Sequence, residues 1–155
     1  MATLKTQGSE LFLLDATDTG NEVRKIGQIT GFSGVGSGTS SEITTTNMDS
    51  TAVEIVVGLK DNGTISFNLD WDPADESHTT LNSLVGGANK RFIIGASESA
   101  ADPSYTSTFT IPTDRTTLDF QAGITQFQLD ASTDDVWRGT VQLRVSGAIT
   151  ITAAA

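Results

Sequence analysis

The stretch NGTISFNLDWDPADESHTTLNSLV, from Asn62 to Val85, decides the fold. In its first half, apolar residues occupy alternate positions and polar residues separate them: Ile65, Phe67, Leu69 and Trp71. A period of two is typical of a β-strand with one buried face. The stretch therefore begins with a predicted strand of the core sheet.

The second half of this stretch predicts a helix. Asp72 has the residue type of an N-cap, Pro73 suits the first helical position, and the acids 75 and 76 favour a helix N-terminus. One apolar face follows at spacings of three and four, formed by Ala74, His78, Leu81, Leu84 and Val85. The remaining chain reads as strand, turn or loop, so we expect a β-protein with one helix packed against its sheet.

The composition indicates one acidic domain. The chain has 155 residues, of which 37% are hydrophobic, and a net charge of −10. This length suits a single domain that buries about two-thirds of its unfolded surface. The negative charge disfavours binding to nucleic acid or to anionic membranes. Solubility alone also explains excess acid in many proteins, and the composition does not separate the two explanations.

The absence of cysteine excludes disulfide scaffolds, thiolate nucleophiles and zinc–thiolate sites. Residues 1–8 are polar, which predicts a flexible N-terminal arm that orders only against a partner. No apolar run has the length of a membrane span, and the N-terminus lacks the apolar core of a secretory signal. We expect a protein that is made in the cytoplasm and carries no membrane anchor.

Apolar runs and turn signals predict a series of further strands. Asn62-Gly63 is a hairpin signal, Gly58 is expected to stop the strand before it, and the Gly/Ser-rich segment 31–41 reads as loop. Residues 15–21 are predicted to be a turn. The further strands are expected at 11–14, 23–32, 41–48, 51–57, 91–94, 105–111 and 118–129.

The C-terminal stretch has the cleanest strand pattern in the chain. From Trp137 to Ile151 every odd position is apolar or glycine, which predicts a strand of about 50 Å. Gly139 and Gly147 are expected to bend it. In the preceding strand the apolar positions change phase, which predicts a bulge within 123–126. So long a strand also predicts pairing with a neighbouring subunit.

The sequence offers no pattern that is typical of an enzyme, and we expect no catalytic, cofactor or metal residues. The only histidine, His78, lies on the predicted helix and is better explained as a structural residue. Four acidic residues near the start of the predicted helix lack the spacing of a calcium loop, and helix capping explains most of them: Asp70, Asp72, Asp75 and Glu76. The glycine-rich loop has no Gly-Lys-Ser/Thr continuation, so it is not a predicted phosphate site.

Three segments, taken together, carry a family resemblance. They are KIGQITGFSG at 25–34, the region 48–73 with GLKDNG and LDWDP, and DDVWRGTV at 134–141 followed by VSGAIT at 145–150. In this order and spacing they resemble the tail tube (major tail) proteins of long-tailed, non-contractile-type bacteriophages. Each segment is of low specificity by itself, and the resemblance rests on their joint occurrence over most of the chain.

The resemblance implies a mainly β fold, a β-sandwich or small barrel with one flanking helix, spanning 1–155 as one domain. It implies hexameric rings that stack into a hollow conduit for DNA, with the sheets forming a larger β-barrel on oligomerisation. It implies no catalysis and no cofactor. The implied partners are other copies of the chain and the tail tip, tape measure and tail terminator proteins, in the virion tail.

By position, the resemblance places ring–ring contacts in the arm 1–8 and in a long loop, 31–49. The candidate contact residues are Thr3, Lys5, Phe32, Val35, Ser41, Ile43 and Met48. The polar face of the strand after Asn62 is the candidate lumen lining, formed by Thr64, Ser66, Asn68 and Asp70. An acidic lining would repel the DNA backbone, so we expect DNA to pass without specific binding.

Two alternatives stay open on the sequence. The chain is also compatible with the tube of a contractile tail or of a type VI secretion-like system, because these share the fold. A monomeric β-sandwich that binds a ligand such as a carbohydrate would use Trp71 or Trp137 as a stacking platform. Both tryptophans fall on the apolar side of their strands, which instead favours core packing.

Overall fold

The computed structural model describes residues 3–14, 22–36 and 38–155. The predicted turn at 15–21, the first two residues of the arm and Ser37 of the predicted loop lie outside these ranges. In chain order the described elements are β1 Glu10–Leu14, β2 Val23–Ile26, β3 Ile29–Ser33, β4 Thr39–Thr44, β5 Ile55–Asp61, β6 Thr64–Asp70, α1 Glu76–Ser83, β7 Lys90–Gly95, β8 Ser104–Tyr105, β9 Phe109–Thr110, β10 Thr117–Asp130 and β11 Arg138–Thr152.

Seven strands form one antiparallel sheet in the order β2-β1-β7-β10-β11-β6-β3. Only Gly27 and Gln28 separate β2 from β3, which lie at opposite edges. That link spans at most about 11 Å, whereas the edges of a flat seven-stranded sheet would be about 29 Å apart. The sheet therefore curls into a barrel-like roll, which confirms the mainly β fold class. Within the described residues no ladder joins β2 to β3, so the roll is open in the monomer.

The link between the two edges corrects the prediction of one strand over 23–32. Gln28 has a left-handed backbone conformation (φ 59°), which ends β2 before β3 begins. A Cβ on Gly27 would lie 2.6 Å from Asp75 Oδ2, so the link passes close to the helix. The break was missed because it depends on the meeting of two distant sheet edges.

The main core fills the roll. Ile65, Phe67 and Leu69 of β6 are at most 1% exposed, as their alternation predicted. The rings of Phe92 and Phe120 stack at 5.8 Å between centroids. Fifteen buried apolar residues make up this core: Leu11, Leu13, Ile26, Ile65, Phe67, Leu69, Leu81, Phe92, Ile94, Phe120, Ala122, Ile124, Val141, Leu143 and Val145.

Strand β1 is buried on both faces. Leu11 and Leu13 face the main core, while Phe12 and Leu14 pack with Ile93 in a second cluster. The region 104–111 helps to cover that second cluster. It is two short strands, β8 and β9, that pair with each other, so the prediction of one continuous strand over 105–111 is wrong. The apolar residues are evenly spaced here because the chain reverses direction tightly. The rings of Tyr105 and Phe109 lie 4.9 Å apart between centroids across this reversal.

Helix α1 begins later than predicted. Asp75 is its N-cap and accepts from the Ser77 N–H at 2.9 Å. The predicted cap, Asp72, instead accepts from the Ala74 N–H and donates its own N–H to His78 Nδ1. Positions 78, 81 and 84 face the body as predicted, whereas 74 precedes the helix and 85 is 40% exposed. Among the described residues no helix is long and apolar enough to cross a bilayer.

The two longest strands, β10 and β11, confirm the predicted bulge. Their register shifts between Ile124 and Gln126, where the apolar positions change phase. A second shift lies between Asp119 and Gln121, opposite Gly147, whose backbone is left-handed (φ 82°). The register runs without a shift through Gly139, so no bulge lies there, and the bend at that position stays a prediction.

The segment 39–61 leaves the sheet. Strand β4 pairs with β5, and among the described strands β5 has no ladder to β6, so the predicted hairpin at Asn62-Gly63 is wrong. Gly58 lies inside β5 and does not stop it. Residues 31–49, predicted as one long loop, contain the end of β3 and all of β4. The Gly/Ser-rich sequence is compatible with this hairpin but does not predict it, because the residues that pair across it are 11 to 22 positions apart in the chain.

Candidate assembly surface

The β4–β5 hairpin, residues 39–61, is the most exposed element of the described chain. Every residue of β4 is exposed, and in β5 only Gly58 is partly covered. The ladder runs from the Thr39–Asp61 pair to the Thr44–Ile55 pair, and the Thr45 N–H extends it to Glu54 O at 2.9 Å. The hairpin therefore stands clear of the core along its whole length.

The hairpin carries apolar side chains on both faces. Ile43 lies opposite Val56 on one face, and Ile55 and Val57 lie on the other. Seven of the twelve exposed large apolar residues in the described ranges belong to it: Ile43, Met48, Val53, Ile55, Val56, Val57 and Leu59. An isolated two-stranded hairpin is marginally stable in water. Such a run of apolar residues is typical of a strand that is covered on both sides.

The base of the hairpin is fixed to β11. The Asn62 side-chain amide donates to Gly147 O, and the Val145 N–H donates to Gly63 O at 3.0 Å. Gly38 packs against the returning strand so closely that a Cβ there would lie 2.2 Å from Asp61 O. The anchor sets where the hairpin leaves the barrel, while its outer part is held only by its own ladder.

The predicted lumen residues lie on one polar face of the sheet. Thr64, Ser66, Asn68 and Asp70 alternate with the core residues of β6 and pair in register with residues 144, 142, 140 and 138 of β11. The Ser33 and Ser66 hydroxyls hydrogen-bond at 2.7 Å, and the Thr140 hydroxyl donates to Asn68 at 3.1 Å. Polar side chains thus form a continuous surface over β3, β6, β11 and the second half of β10, here called the polar face.

The arginines of the polar face are paired with carboxylates. Arg144 donates to Asp61 at 2.9 Å, and this hydrogen bond holds the pKa of Asp61 below its ordinary value. Arg138 donates to Asp135 at 3.1 Å. The Val136 N–H and then Arg138 lower the pKa of Asp135. Neither arginine therefore presents an uncompensated positive charge.

The seven predicted contact residues fall in three places. Ser41, Ile43 and Met48 lie on the hairpin, and Ile43 and Met48 are 53% and 102% exposed. Thr3 and Lys5 are exposed in the N-terminal segment. The other two predicted residues are half-buried and pack against the main core, and so offer less surface to a partner: Phe32 and Val35.

A buried arginine, missed in the sequence, holds the N-terminal segment. Arg115 is 1% exposed and donates to Glu10 Oε2, Ala96 O and Ala101 O, each at 2.9 Å, and to Gly8 O at 3.4 Å. Burial alone would raise the pKa of Glu10, but hydrogen bonds from Lys25 and Arg115 outweigh it, and the pKa is lowered. A lone arginine between polar neighbours gives no signal of burial in the sequence.

His78 has a structural role in the folded chain. It is 1% exposed, its Nδ1 accepts from the Asp72 N–H at 3.1 Å, and its Nε2 lies 2.8 Å from Gly27 O. The ring therefore ties the helix to the link between β2 and β3. In the described part of the chain no group of three or more His, Cys, Asp or Glu residues is arranged to hold a metal ion.

The two tryptophans meet at the far end of β6 and β11. Their rings lie 5.9 Å apart in an edge-to-face arrangement, and the Trp71 N–H donates to Trp137 O at 2.9 Å. Trp71 packs against the core as predicted, but Trp137 is 53% exposed, which contradicts the prediction that both are core residues. Its strand begins only at Arg138, so no neighbouring strand covers the indole.

Comparison with known proteins identifies a family. The family model described as "Phage tail tube, TTP, lambda-like" matches residues 2–155. Structural protein 3 of Pseudomonas phage PAJU2 is 30% identical over 151 residues, which cover 93% of this chain and 90% of that protein. Both matches extend over nearly the whole chain.

Solved structures share the fold at low sequence identity. The SPP1 tail tube protein matches with a TM-score of 0.68 and 9% identity, covering 97% of this chain and 80% of that chain. A chain from the tail of an empty GTA particle, refined with C6 symmetry, matches at 0.63 and 14%, with coverage of 97% and 100%. A chain from the sheath–tube complex of an extracellular contractile injection system matches at 0.64 and 13%, with coverage of 98% and 93%.

The solved structures agree with the mainly β fold over nearly the whole chain. The family is one of structural proteins rather than of enzymes. The resemblance drawn from residues 25–34, 48–73 and 134–150 is thereby confirmed. The chain belongs to the lambda-like family of phage tail tube proteins, and it is a subunit of the tail tube and a structural component of the virion tail.

Proposed function

We propose that this tail tube subunit assembles as hexameric rings, that the rings stack into the hollow tube of a non-contractile tail, and that DNA passes through the bore without specific binding. One observation carries the proposal. The hairpin 39–61 exposes apolar side chains on both faces and has no cover from its own barrel. Self-assembly supplies that cover.

The size of the effect supports an assembly role for the hairpin. Burial of its seven large apolar side chains, which are half to fully exposed, is worth about 10 kcal/mol per subunit. Association costs about 4 to 15 kcal/mol in lost freedom of motion. The hairpin therefore provides much of the driving force. The N-terminal segment with Thr3 and Lys5 supplies further ring–ring contacts.

A six-fold ring is supported by the architecture and by a structural relative. The roll is open in the monomer, and β10 and β11, with 14 and 15 residues, are the longest described strands. Strands of this length suit a larger barrel that neighbouring subunits close together. The structural relative from the GTA tail was refined with C6 symmetry.

The polar face is the proposed wall of the bore. Thr64, Ser66, Asn68 and Asp70 present hydroxyl, amide and carboxylate groups, and the two arginines beside them are paired with acids. A surface without free positive charge does not hold phosphates, because phosphate affinity depends on neutralisation by Lys and Arg. The net charge of −10 adds long-range repulsion. DNA therefore slides through the bore.

The proposed partners follow from the two ends of such a tube. One end binds a tail tip and the other a terminator, while a tape measure protein fills the bore before DNA enters. Polar and uncharged groups of the lining suit transient contact with a tape measure. The structural relatives come from assemblies of this general kind.

Negative-stain microscopy combined with size-exclusion chromatography of the purified chain tests the assembly. Rings with six-fold symmetry and stacked tubes are expected, and their amount should rise with protein concentration. The matched variant Val57→Asp changes an exposed hairpin residue and should give folded monomers without tubes. A wild-type chain that remains monomeric at high concentration would contradict the proposal.

The lining is tested separately by adding positive charge to it. Asn68→Lys places six added positive charges around each ring of the proposed bore. We expect normal tubes and a strong, salt-sensitive slowing of DNA ejection from reconstituted particles. Ser104→Lys, an exposed position on the small β8–β9 hairpin, is the control and should leave ejection unchanged. Equal ejection from both variants would show that the polar face does not line the bore.

A second candidate function is the tube of a contractile system. The similarity to a chain from a contractile sheath–tube complex favours it. A contractile tube must bind a sheath along its outer surface, whereas a non-contractile tube is bare. Electron microscopy of native tails decides between them, because a sheath layer around the tube is visible in one case and absent in the other.

A further inference from the structure

We propose that an aromatic cleft at the end of the barrel opposite the hairpin base is the socket that receives the outer part of the hairpin of another copy of this chain. This inference rests on the proposed tube and names the contact that joins consecutive subunits along it. The two halves of the contact lie at opposite ends of every subunit.

The cleft has a volume of about 350 Å³ and lies between α1 and the ends of β6 and β10. One wall is apolar, and the other is formed by Pro73 and by uncharged polar or aromatic-ring groups of the helix. The apolar wall is Trp71, Phe127 and Leu129, and the helix contributes His78, Thr79 and Asn82. The half-exposed Trp137 packs against Trp71 and extends the apolar surface. No Asp, Glu, Lys or Arg lines the cleft, in a chain with a net charge of −10. The site therefore suits an apolar occupant.

The cleft is held in shape before any partner arrives. The backbone N–H of Trp71 donates to the backbone carbonyl of Trp137 at 2.9 Å, and the two rings meet edge to face at 5.9 Å between centroids. His78, buried beneath the helix, accepts from the Asp72 N–H at 3.1 Å and ties α1 to the sheet. Asp75 caps the helix through the N–H and hydroxyl of Ser77. A preformed socket avoids the entropy cost of ordering its walls on binding.

The strand register places hairpin and cleft at opposite ends. In the β6–β11 ladder, Thr64 pairs with Arg144 beside the hairpin base, and Asp70 pairs with Arg138 beside the tryptophans. Six residue steps separate the two pairs, about 20 Å along the strands. The hairpin ladder has seven steps from Asp61 to Glu54, which corresponds to about 23 Å. The hairpin is therefore long enough to reach beyond its own subunit.

A head-to-tail stack needs two different complementary surfaces on each subunit. One is available in the outer hairpin, where Met48 and Val53 are 102% and 79% exposed. The other is the aromatic cleft. Like net charge makes copies repel each other at long range, so the contact that joins them must be apolar and short-ranged. Met48 and Val53 supply apolar surface in the outer hairpin, and the lining of the cleft has no carboxylate to repel the hairpin's Asp49 and Glu54.

A competing socket exists at the seam of the roll. A groove of about 540 Å³ lies between residues 6–9 and residues 29–32. This groove is also lined by both polar and apolar groups, and it differs from the cleft in having one aromatic residue, Phe32, where the cleft has Trp71 and Phe127. The experiment below includes this groove as a competitor, so that it can overturn the proposal.

Cysteine cross-linking tests the contact, because the chain contains no cysteine of its own. Val53→Cys in the outer hairpin is combined with Asn82→Cys, an exposed helix position on the cleft. Mild oxidation of assembled tubes should give a ladder of disulfide-linked chains. The two controls combine Val53→Cys with Thr30→Cys at the seam groove or with Ser104→Cys away from both. We expect the cleft pair to cross-link about tenfold faster than either control, since proximity raises the effective concentration.

The outcomes separate the socket from the tube. Tubes that form without the Val53–Asn82 cross-link, or that cross-link faster through Thr30, overturn the socket and leave the proposed tube intact. A parent chain that forms no rings or tubes overturns the proposed function itself. When the Val53→Cys and Asn82→Cys single variants are mixed, each chain has one cysteine and can form only a pair. These pairs should join one variant to the other, and pairs between identical variants alone would contradict a contact between the two positions.

Tryptophan fluorescence gives an independent readout, because the chain has two tryptophans. In Trp71→Phe the emission comes from Trp137 alone, which is 53% exposed in the free subunit. We expect a blue shift when this variant assembles and none when Val53→Asp prevents assembly. Trp137→Phe, which reports the half-buried Trp71, should shift less. Tubes that assemble without a blue shift of Trp137 would overturn the proposal.

Discussion

Strands β1 and β5 have similar sequences and opposite surroundings. β1 contains Leu11 to Leu14, and each of these residues is at most 1% exposed. β5 contains Ile55 to Val57, and these residues are 49% to 67% exposed. Both runs are typical of a strand that is covered on both faces. One is covered by its own chain, through the barrel core and the β8–β9 region, and the other has no such cover.

The difference shows that a strand pattern indicates which faces are buried in the functional protein. It does not show whether the same chain or another subunit buries them. The core strands satisfy the need for burial within the subunit, so their residues determine whether the subunit folds. The hairpin satisfies it between subunits, so its residues determine whether folded subunits assemble. Changes of equal chemistry in the two regions should therefore have different consequences.

The largest expected contrast comes from one leucine in each region. Leu143→Ala in β11 removes a side chain that is 0% exposed and should lower the free energy of unfolding by about 2 to 5 kcal/mol. Leu59→Ala in β5 removes one that is 92% exposed and should change it by less than about 1 kcal/mol. Urea unfolding of the unassembled chain measures both. Similar losses would break the distinction between the two regions.

The next contrast uses two arginines. Arg115→Met removes the donor that serves Glu10, Ala96 O and Ala101 O. The two carbonyl oxygens lose this hydrogen bond, and Glu10 keeps only its ion pair with Lys25. We expect a loss of about 3 kcal/mol in unfolding free energy. Arg138→Met, at a side chain that is 54% exposed, should cost less than about 1 kcal/mol. Equal losses from the two variants would mean that Arg115 does not secure the N-terminal segment.

A smaller effect is expected at the hairpin base. Asn62→Ala removes the hydrogen bond to Gly147 O and should destabilise the attachment of the hairpin by about 1 kcal/mol. Hydrogen exchange should therefore accelerate over 39–61 and remain unchanged over 117–124. Asn47→Ala, which removes an exposed contact in the outer turn, is the control with a smaller effect. Faster exchange throughout the barrel would show that hairpin and barrel open together.

The smallest effect is the pH dependence of the barrel. Hydrogen bonds from Lys25 and Arg115 lower the pKa of Glu10 from its ordinary 4.5, and hydrogen bonds from Ser77 lower that of Asp75 from 3.8, in both cases against the opposing effect of burial. A carboxyl with a lowered folded pKa stabilises the fold fully above its unfolded pKa. That contribution is lost as pH falls through the folded pKa.

Urea unfolding at a series of pH values from about 6 to about 3 should show this acid-side decline. Glu10→Gln should lower stability at the upper end of that range and flatten the decline, because one carboxyl group with a lowered pKa is removed. The control Glu42→Gln, in the exposed hairpin, should leave the profile unchanged. A Glu10→Gln profile as steep as that of the parent chain would refute the assignment.

Much of the local structure could be predicted from the sequence. The alternation in β6, the long C-terminal strand and the bulge between Ile124 and Gln126 were predicted and are present. These features depend on which face of a strand is buried, and residue order reports that directly. The helix cap was placed three residues early, because Asp72 and Asp75 have the same capping chemistry and only the contact of Asp72 with His78 separates them.

The assembly surface was less predictable. Ile43 and Met48 were named as contact residues and are exposed, but the second strand of their hairpin was not recognised as part of that surface. Phe32 and Val35 pack against the core instead. The burial of Arg115 and the exposure of Trp137 left no trace in the local pattern, since both depend on chain segments that are distant in sequence.

The sequence by itself determined which residues need to be buried: the core face of β6, the apolar runs of β1 and β5, and the inner face of α1. Only the tertiary structure decided which of them are buried within the subunit. The physical reason is that side-chain alternation is a local property, whereas cover depends on which strands meet when the sheet curls and β2 and β3 come to its two edges. The curling of the sheet leaves the hairpin outside the barrel and places the aromatic cleft at the opposite end.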